Sequence, residues 1–114
     1  MKLMKMIAGA GLALSLLAAP AQAQERISIG TGGTGGLFYI IGAGMAEVLN
    51  KHMPDATARA EVTGASVENI RRVAAGQMTF GFSSSSTLYE ASVGETPFEE
   101  ALPVDAIAYL YPAV

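Results

Sequence analysis

The chain has no cysteine and no tryptophan, a single histidine and only seven basic residues. Without cysteine there is no disulfide framework, no thiolate metal site and no attachment point for a lipoprotein anchor. One histidine and no carboxylate cluster at ligand spacing leave metal binding without a donor set. Positive charge is scarcest beyond Ala23, where all ten acidic residues lie against Arg26, Lys51, Arg59, Arg71 and Arg72. An acidic surface with no basic stripe excludes a phosphate-backbone binder, so no nucleic-acid partner is expected.

Long apolar runs are also lacking, with one partial exception. Lys2 and Lys5 precede the apolar stretch Ile7 to Ala19, which breaks at Pro20 and is followed by Ala21-Gln22-Ala23. An uncleaved membrane anchor is the rival reading, but a span wants roughly 20 apolar residues. The basic start, short apolar centre and small-residue exit instead predict a secretory leader over residues 1–23, cleaved after Ala23, and a periplasmic destination. The domain is then residues 24–114. A chain of that size buries only about 60–65% of its unfolded surface, so its core is expected to be marginal alone.

Glycine is what the chain has in quantity, 13 residues, and two glycine-bearing turns organise the rest. Ile27-Ser28-Ile29-Gly30 alternates as a short strand and runs into GTGGTGG, Gly30 to Gly36. From Leu37 to about Lys51, Ile41, Gly44, Met45 and Val48 recur at helical spacing, with Gly42 and Gly44 read as close packing on a sheet. Thr57 to Thr63 alternates as a strand near a sheet margin and leads into TGAS, Thr63 to Ser66. A second helix from Ser66 to about Ala75 carries Val67, Ile70 and Ala74 on one face, allows Glu68 to pair with Arg72, and stops at Gly76. Met78 to Phe82 is expected as a strand, Ser83 to Ser86 as a polar turn and Thr87 to Val93 as a third helix. A loop with one helical turn at Pro97 to Glu100 follows, then a fourth strand over Ala106 to Tyr111. Because no helix closes that strand before Val114, the chain reads as a fragment or truncated frame.

Strand and helix alternation predicts an α/β fold with a parallel βαβαβ sheet and right-handed crossovers. In such a sheet the strand-to-helix turns gather at the strands' carboxyl ends, where helix N-termini aim unpaired N–H groups into a crevice. The candidate ligand-binding residues follow from that placement. Thr31, Gly33, Thr34 and Gly36 come from the first turn, Ser66, Val67 and Asn69 from the second, and Ser84 and Ser85, within Ser83 to Ser86, from the third. Tyr39 reads as a core aromatic or as a lid on the ligand, and its hydroxyl's need for a polar partner favours the lid. For the glycine run alone, a tight turn docking the first helix is the bland alternative.

Three chemistries are weighed against simple binding. Gly30, Gly32 and Gly35 meet the GxGxxG spacing of a nucleotide-dependent oxidoreductase, but the acidic residue required at the end of the second strand falls near Thr63-Gly64, with Glu61 inside the strand. No Lys-Ser or Lys-Thr follows the glycines, which excludes a nucleotide-hydrolase phosphate loop. A serine nucleophile needs a base, and His52, at the far end of the first helix, belongs at the opposite edge of the sheet. No catalytic residue and no cofactor are expected.

ISIGTGGTGGLFYIIGAGMAEVLNK, EVTGASVENIRRVAAGQMTFGFSSSSTLYEA and AIAYLYP together resemble the TAXI family of solute receptors of tripartite ATP-independent periplasmic (TRAP) transporters. The resemblance spans the mature chain and corresponds to the opening part of a longer, two-lobed receptor. It implies an incomplete first lobe of a class II periplasmic-binding-protein-like fold. It also implies capture of a small carboxylate or amino acid, such as glutamate or glutamine, and delivery to sodium-coupled membrane subunits. The family often has Val-Gln-Ser-Asp where this chain has Ser83 to Ser86, which shortens the polar reach of the third turn.

Overall fold

The computed structural model describes residues 23–112. The expected leader, residues 1–23, lies outside them but for Ala23. The elements run β1 (Glu25–Gly30), α1 (Leu37–His52), β2 (Ala56–Glu61), α2 (Ser66–Ala74), β3 (Phe80–Gly81) and α3 (Ser85–Val93). The sheet is wholly parallel in the order β2-β1-β3. Glu25 to Gly30 align with Ala56 to Glu61, and Ile29 and Gly30 with Phe80 and Gly81. The expected βαβαβ architecture is therefore the observed one.

The buried face of α1 only partly matches the expected spacing: Ile41 and Met45 pack on the sheet, but Gly44 and Val48 are exposed. In α1, Phe38, Ile41, Met45 and Leu49, with buried Gly42 and Ala46, lie against Ile27 and Ile29 of β1 and Ala56 and Ala58 of β2. Gly42 brings the helix in close: a Cβ there would stand 2.5 Å from Thr31 Cγ2 and 3.3 Å from a Phe82 ring carbon. Gly44 faces open space and has no such role. Helix α2 ends in a Schellman closure, with Gly76 at φ 71°, its N–H donating to Val73 O and the Gln77 N–H to Arg72 O. Among the described residues no helix is long and apolar enough to cross a membrane.

Successive strand residues point to opposite faces, and this decides where the helices go. Ile27 and Ile29 face α1, whereas a Cβ on Gly30 would run into Asn69 of α2 and Met78. So α1 covers one face and α2 the other. Helix α3 and the chain beyond it extend the second face, where Ile70, Ala91 and Phe98 form a separate core with Val67, Leu88, Leu102 and Val104. Arg71 holds that loop, donating to Pro97 O at 2.7 Å with its guanidinium 5.6 Å from the Phe98 ring centre.

Two expectations for the last segment fail. Pro97 to Glu100 makes no helical turn, and Ala106 to Tyr111 is not a strand: no regular element follows Val93 among the described residues. The segment has strand-like side chains but no ladder to join. Its residues Ile107 and Tyr109 are 77% and 76% exposed, and β3 offers an edge of only two residues. A strand owes its stability to cross-strand partners, so an apolar alternation without one forms no ladder. The β2 margin is closed differently: the Asn50 side-chain amide donates to Ala58 O at 2.9 Å and accepts from Ala58 N–H at 2.7 Å, standing in for a neighbouring strand.

Candidate functional site

Because all three strands are parallel, the turns 31–36, 62–65 and 82–84 share one edge of the sheet. The chain leaves β1 toward one face and β3 toward the other, so the crevice lies at the topological switch point between them, the usual ligand position in open α/β sheets.

Asn69 binds the three turns together. It is fully buried, and its Nδ2 donates to Thr31 O at 2.8 Å and to Phe82 O at 2.9 Å. Its Oδ1 accepts from the Thr63 hydroxyl at 2.7 Å. The three hydrogen bonds of the amide thus reach the first, third and second turns respectively. Thr31 is also fully buried; its hydroxyl donates to Glu61 O at 2.7 Å. Asn69 and Thr31 therefore form the floor of the crevice rather than its open surface. Ser66 joins the second turn to the third, its Oγ accepting from the Ser84 N–H at 3.0 Å.

The helix starts differ. Ser84 caps α3, accepting from the Thr87 N–H at 3.3 Å, and shares its hydroxyl with Ser86 and Thr87. Helices α1 and α2 begin at Gly36 and Ala65 with no side-chain cap, leaving first-turn N–H groups without intrahelical partners. Gly33, Thr34, Gly36 and Ser85 are exposed around these starts, and Tyr39 and Val67 are half-buried, Val67 against the second core. His52 ends α1 at the opposite edge, exposed, as the spacing predicts.

The turns themselves contain no lysine, arginine or histidine. Arg72 of α2 is committed to Glu61 at 2.8 Å and faces Glu68 at 3.6 Å. Glu68 in turn accepts from the Gly64 N–H at 2.6 Å. Positive potential in the crevice thus comes from backbone dipoles rather than side-chain charge. Among the described residues no group of three metal-ligating side chains comes together.

Several features were not legible in the sequence. The backbone strain of the second turn falls on Ala65 (φ 67°, ψ −144°) and not on Gly64, and no glycine of the first turn has a positive φ. The Thr63 hydroxyl on the Ala65 N–H at 3.1 Å and the Ala65 carbonyl on the Asn69 N–H at 2.9 Å hold that geometry. Ala65→Gly is accordingly expected to stabilise the fold by about 1 kcal/mol, read as a higher urea midpoint, since glycine alone tolerates this region without steric cost. The glycines of the first turn are spaced for a nucleotide but used otherwise. The space beside Gly30 is filled by Asn69 and Met78, and Gly35 faces open solvent instead of packing helix to strand. Glu61 does end β2, contrary to its expected interior position, but its carboxylate is paired with Arg72. The nucleotide-binding alternative finds no support.

A parallel α/β lobe with strand-to-helix turns converging on a switch-point crevice is the architecture of a binding-protein-like domain. Comparison with protein families matches residues 29–114 to the NMT1-like family, and the chain belongs to that family, a periplasmic binding-protein-like one. Its general function is accordingly substrate binding, with a small molecule as the bound partner.

Proposed function

We propose that this chain is the ligand-capturing first lobe of a non-enzymatic periplasmic receptor for a small carboxylate or amino acid. In this reading a leader is removed after Ala23, and the receptor is of the TAXI type, passing its solute to sodium-coupled TRAP membrane subunits. The observation that carries the proposal is the meeting of three strand-to-helix turns around Asn69 beside two uncapped helix starts. Uncapped N–H groups at the starts of α1 and α2 are donors for one carboxylate, and the hydroxyls of Thr34 and Ser85 supply further contacts. In this reading the ligand is held and released unchanged.

Affinity is expected to be low for this lobe alone. Ligand sites usually bury roughly 70–90% of a small molecule, whereas here Gly33 to Gly36 lie open to solvent. Calorimetry or NMR titration with glutamate, glutamine and dicarboxylates is expected to give millimolar dissociation constants. Gly33→Val is expected to weaken that binding strongly with unchanged stability, because a Cβ at Gly33 meets nothing within 4 Å and obstructs only an incoming ligand. His52→Ala is expected to change nothing. Equal losses at the two positions would place the site elsewhere, and tight binding by the lobe alone would contradict its need for a second.

A further inference from the structure

The third aromatic ring near the crevice comes from an unexpected place. Phe82, the first residue after β3, is buried with its ring centre 5.3 Å from that of Phe38 in the first turn of α1. Phe38 in turn lies 6.5 Å from the ring of Tyr111, tilted by 56°. Tyr111 is the one half-buried residue from Asp105 to Pro112, a stretch otherwise exposed. The chain therefore crosses from the second core, where Val104 packs, to the α1 face and touches down on Phe38. Phe38 also borders the glycine turn: a Cβ on Gly32 would stand 3.9 Å from its ring and 3.5 Å from the Ala65 methyl. The three rings form a ladder from the core to the surface beside the first turn.

The polar side of the crevice is correspondingly short. Asn69 and Thr31 are fully buried with their polar atoms committed, the third turn carries only serine hydroxyls, and no cation is free in the turns. One carboxylate can be held by backbone N–H groups, but a second charged group of the ligand meets no side-chain cation in these three turns. An apolar remainder, by contrast, finds an aromatic surface. We infer that Tyr111, with Phe38, is the specificity-determining wall of the crevice, and that the ligand class is a monocarboxylate with a planar apolar group rather than a dicarboxylate. This rests on the receptor reading above and narrows its substrate.

The test is an amide NMR titration of the protein with phenylacetate, acetate and L-glutamate, repeated on Tyr111→Ala, Tyr111→Leu and the exposed control Ile107→Ala, with thermal melting as the folding check. Phenylacetate is expected to move the resonances of Gly32, Phe38 and Tyr111 at lower concentration than the other two probes. Loss of one aromatic contact at Tyr111→Ala is expected to reduce that advantage about fivefold, with Ile107→Ala unchanged. If Tyr111→Ala does not fold, Tyr111→Leu, which keeps bulk but not the ring, is expected to show the same loss. Equal response to phenylacetate and acetate, preference for glutamate, or an advantage indifferent to position 111 would overturn the aromatic wall and leave the receptor reading intact. Silence of the crevice amides toward every probe would overturn the receptor reading and this inference with it.

Discussion

Asn69→Asp is expected to destabilise the lobe by about 3–5 kcal/mol near neutral pH, although it changes only one nitrogen for oxygen. The amide's two donor bonds, to Thr31 O and Phe82 O, lie in a fully buried position. An ionised aspartate there would set a negative oxygen against two carbonyls with no counterion. The Thr63 hydroxyl could still donate, but one retained bond is worth only about 0.5–1.5 kcal/mol. Asn69→Leu tests the other half of the argument, since it removes the charge yet orphans the same two carbonyls and is expected to cost less, about 2–3 kcal/mol. Urea denaturation of both variants gives the comparison. A cost below 1 kcal/mol for Asn69→Asp would show that the three turns are held by something other than this amide.

Gly42→Ala and Gly44→Ala are expected to move stability in opposite directions, although the two glycines sit two residues apart in one helix. Replacing a helical glycine by alanine gains about 1 kcal/mol of helix propensity. At Gly44 nothing lies within 4 Å of the new methyl group, so the gain is expected in full. At Gly42 the methyl would stand 2.5 Å from Thr31 Cγ2, on a side chain fixed by its bond to Glu61 O. Overpacking of this kind costs about 1–3 kcal/mol or more, which outweighs the propensity term. The displacement would also fall on the floor of the crevice, so Gly42→Ala is expected to disturb the amide resonances of the first turn as well as the denaturation midpoint. Stabilisation at both positions would mean that α1 does not lean on Thr31.

The elements were legible because their signals are local. The helical spacing of Ile41 and Met45, the alternation in Ile27 to Gly30, and Gly76 at the end of α2 each depend on residues near in sequence. Parallel alternation then implied that the three turns share an edge, and the structure has them there. The segment Ala106 to Tyr111 shows the limit of such signals. Apolar alternation specifies a strand's faces but not its partner, and a ladder is a property of two segments.

The sequence by itself determined that the three strand-to-helix turns lie along one edge of the sheet, because the alternation of strands and helices fixes a parallel order. Only the tertiary structure decided what each residue does there. Asn69 and Ser66 read alike as polar residues at a helix start, yet one is sealed beneath the turns and the other links two of them. Gly64 carried the turn signal while the strained φ settled on Ala65, and Tyr39 drew attention while Phe38 and Tyr111 meet beside the glycine turn. These roles depend on hydrogen-bond partners and ring contacts that lie distant in sequence, such as Thr31 to Asn69 and Phe38 to Tyr111. Hydrogen bonds are short-ranged and directional, so a side chain's function in the site is fixed only when the fold sets its donors and acceptors within reach.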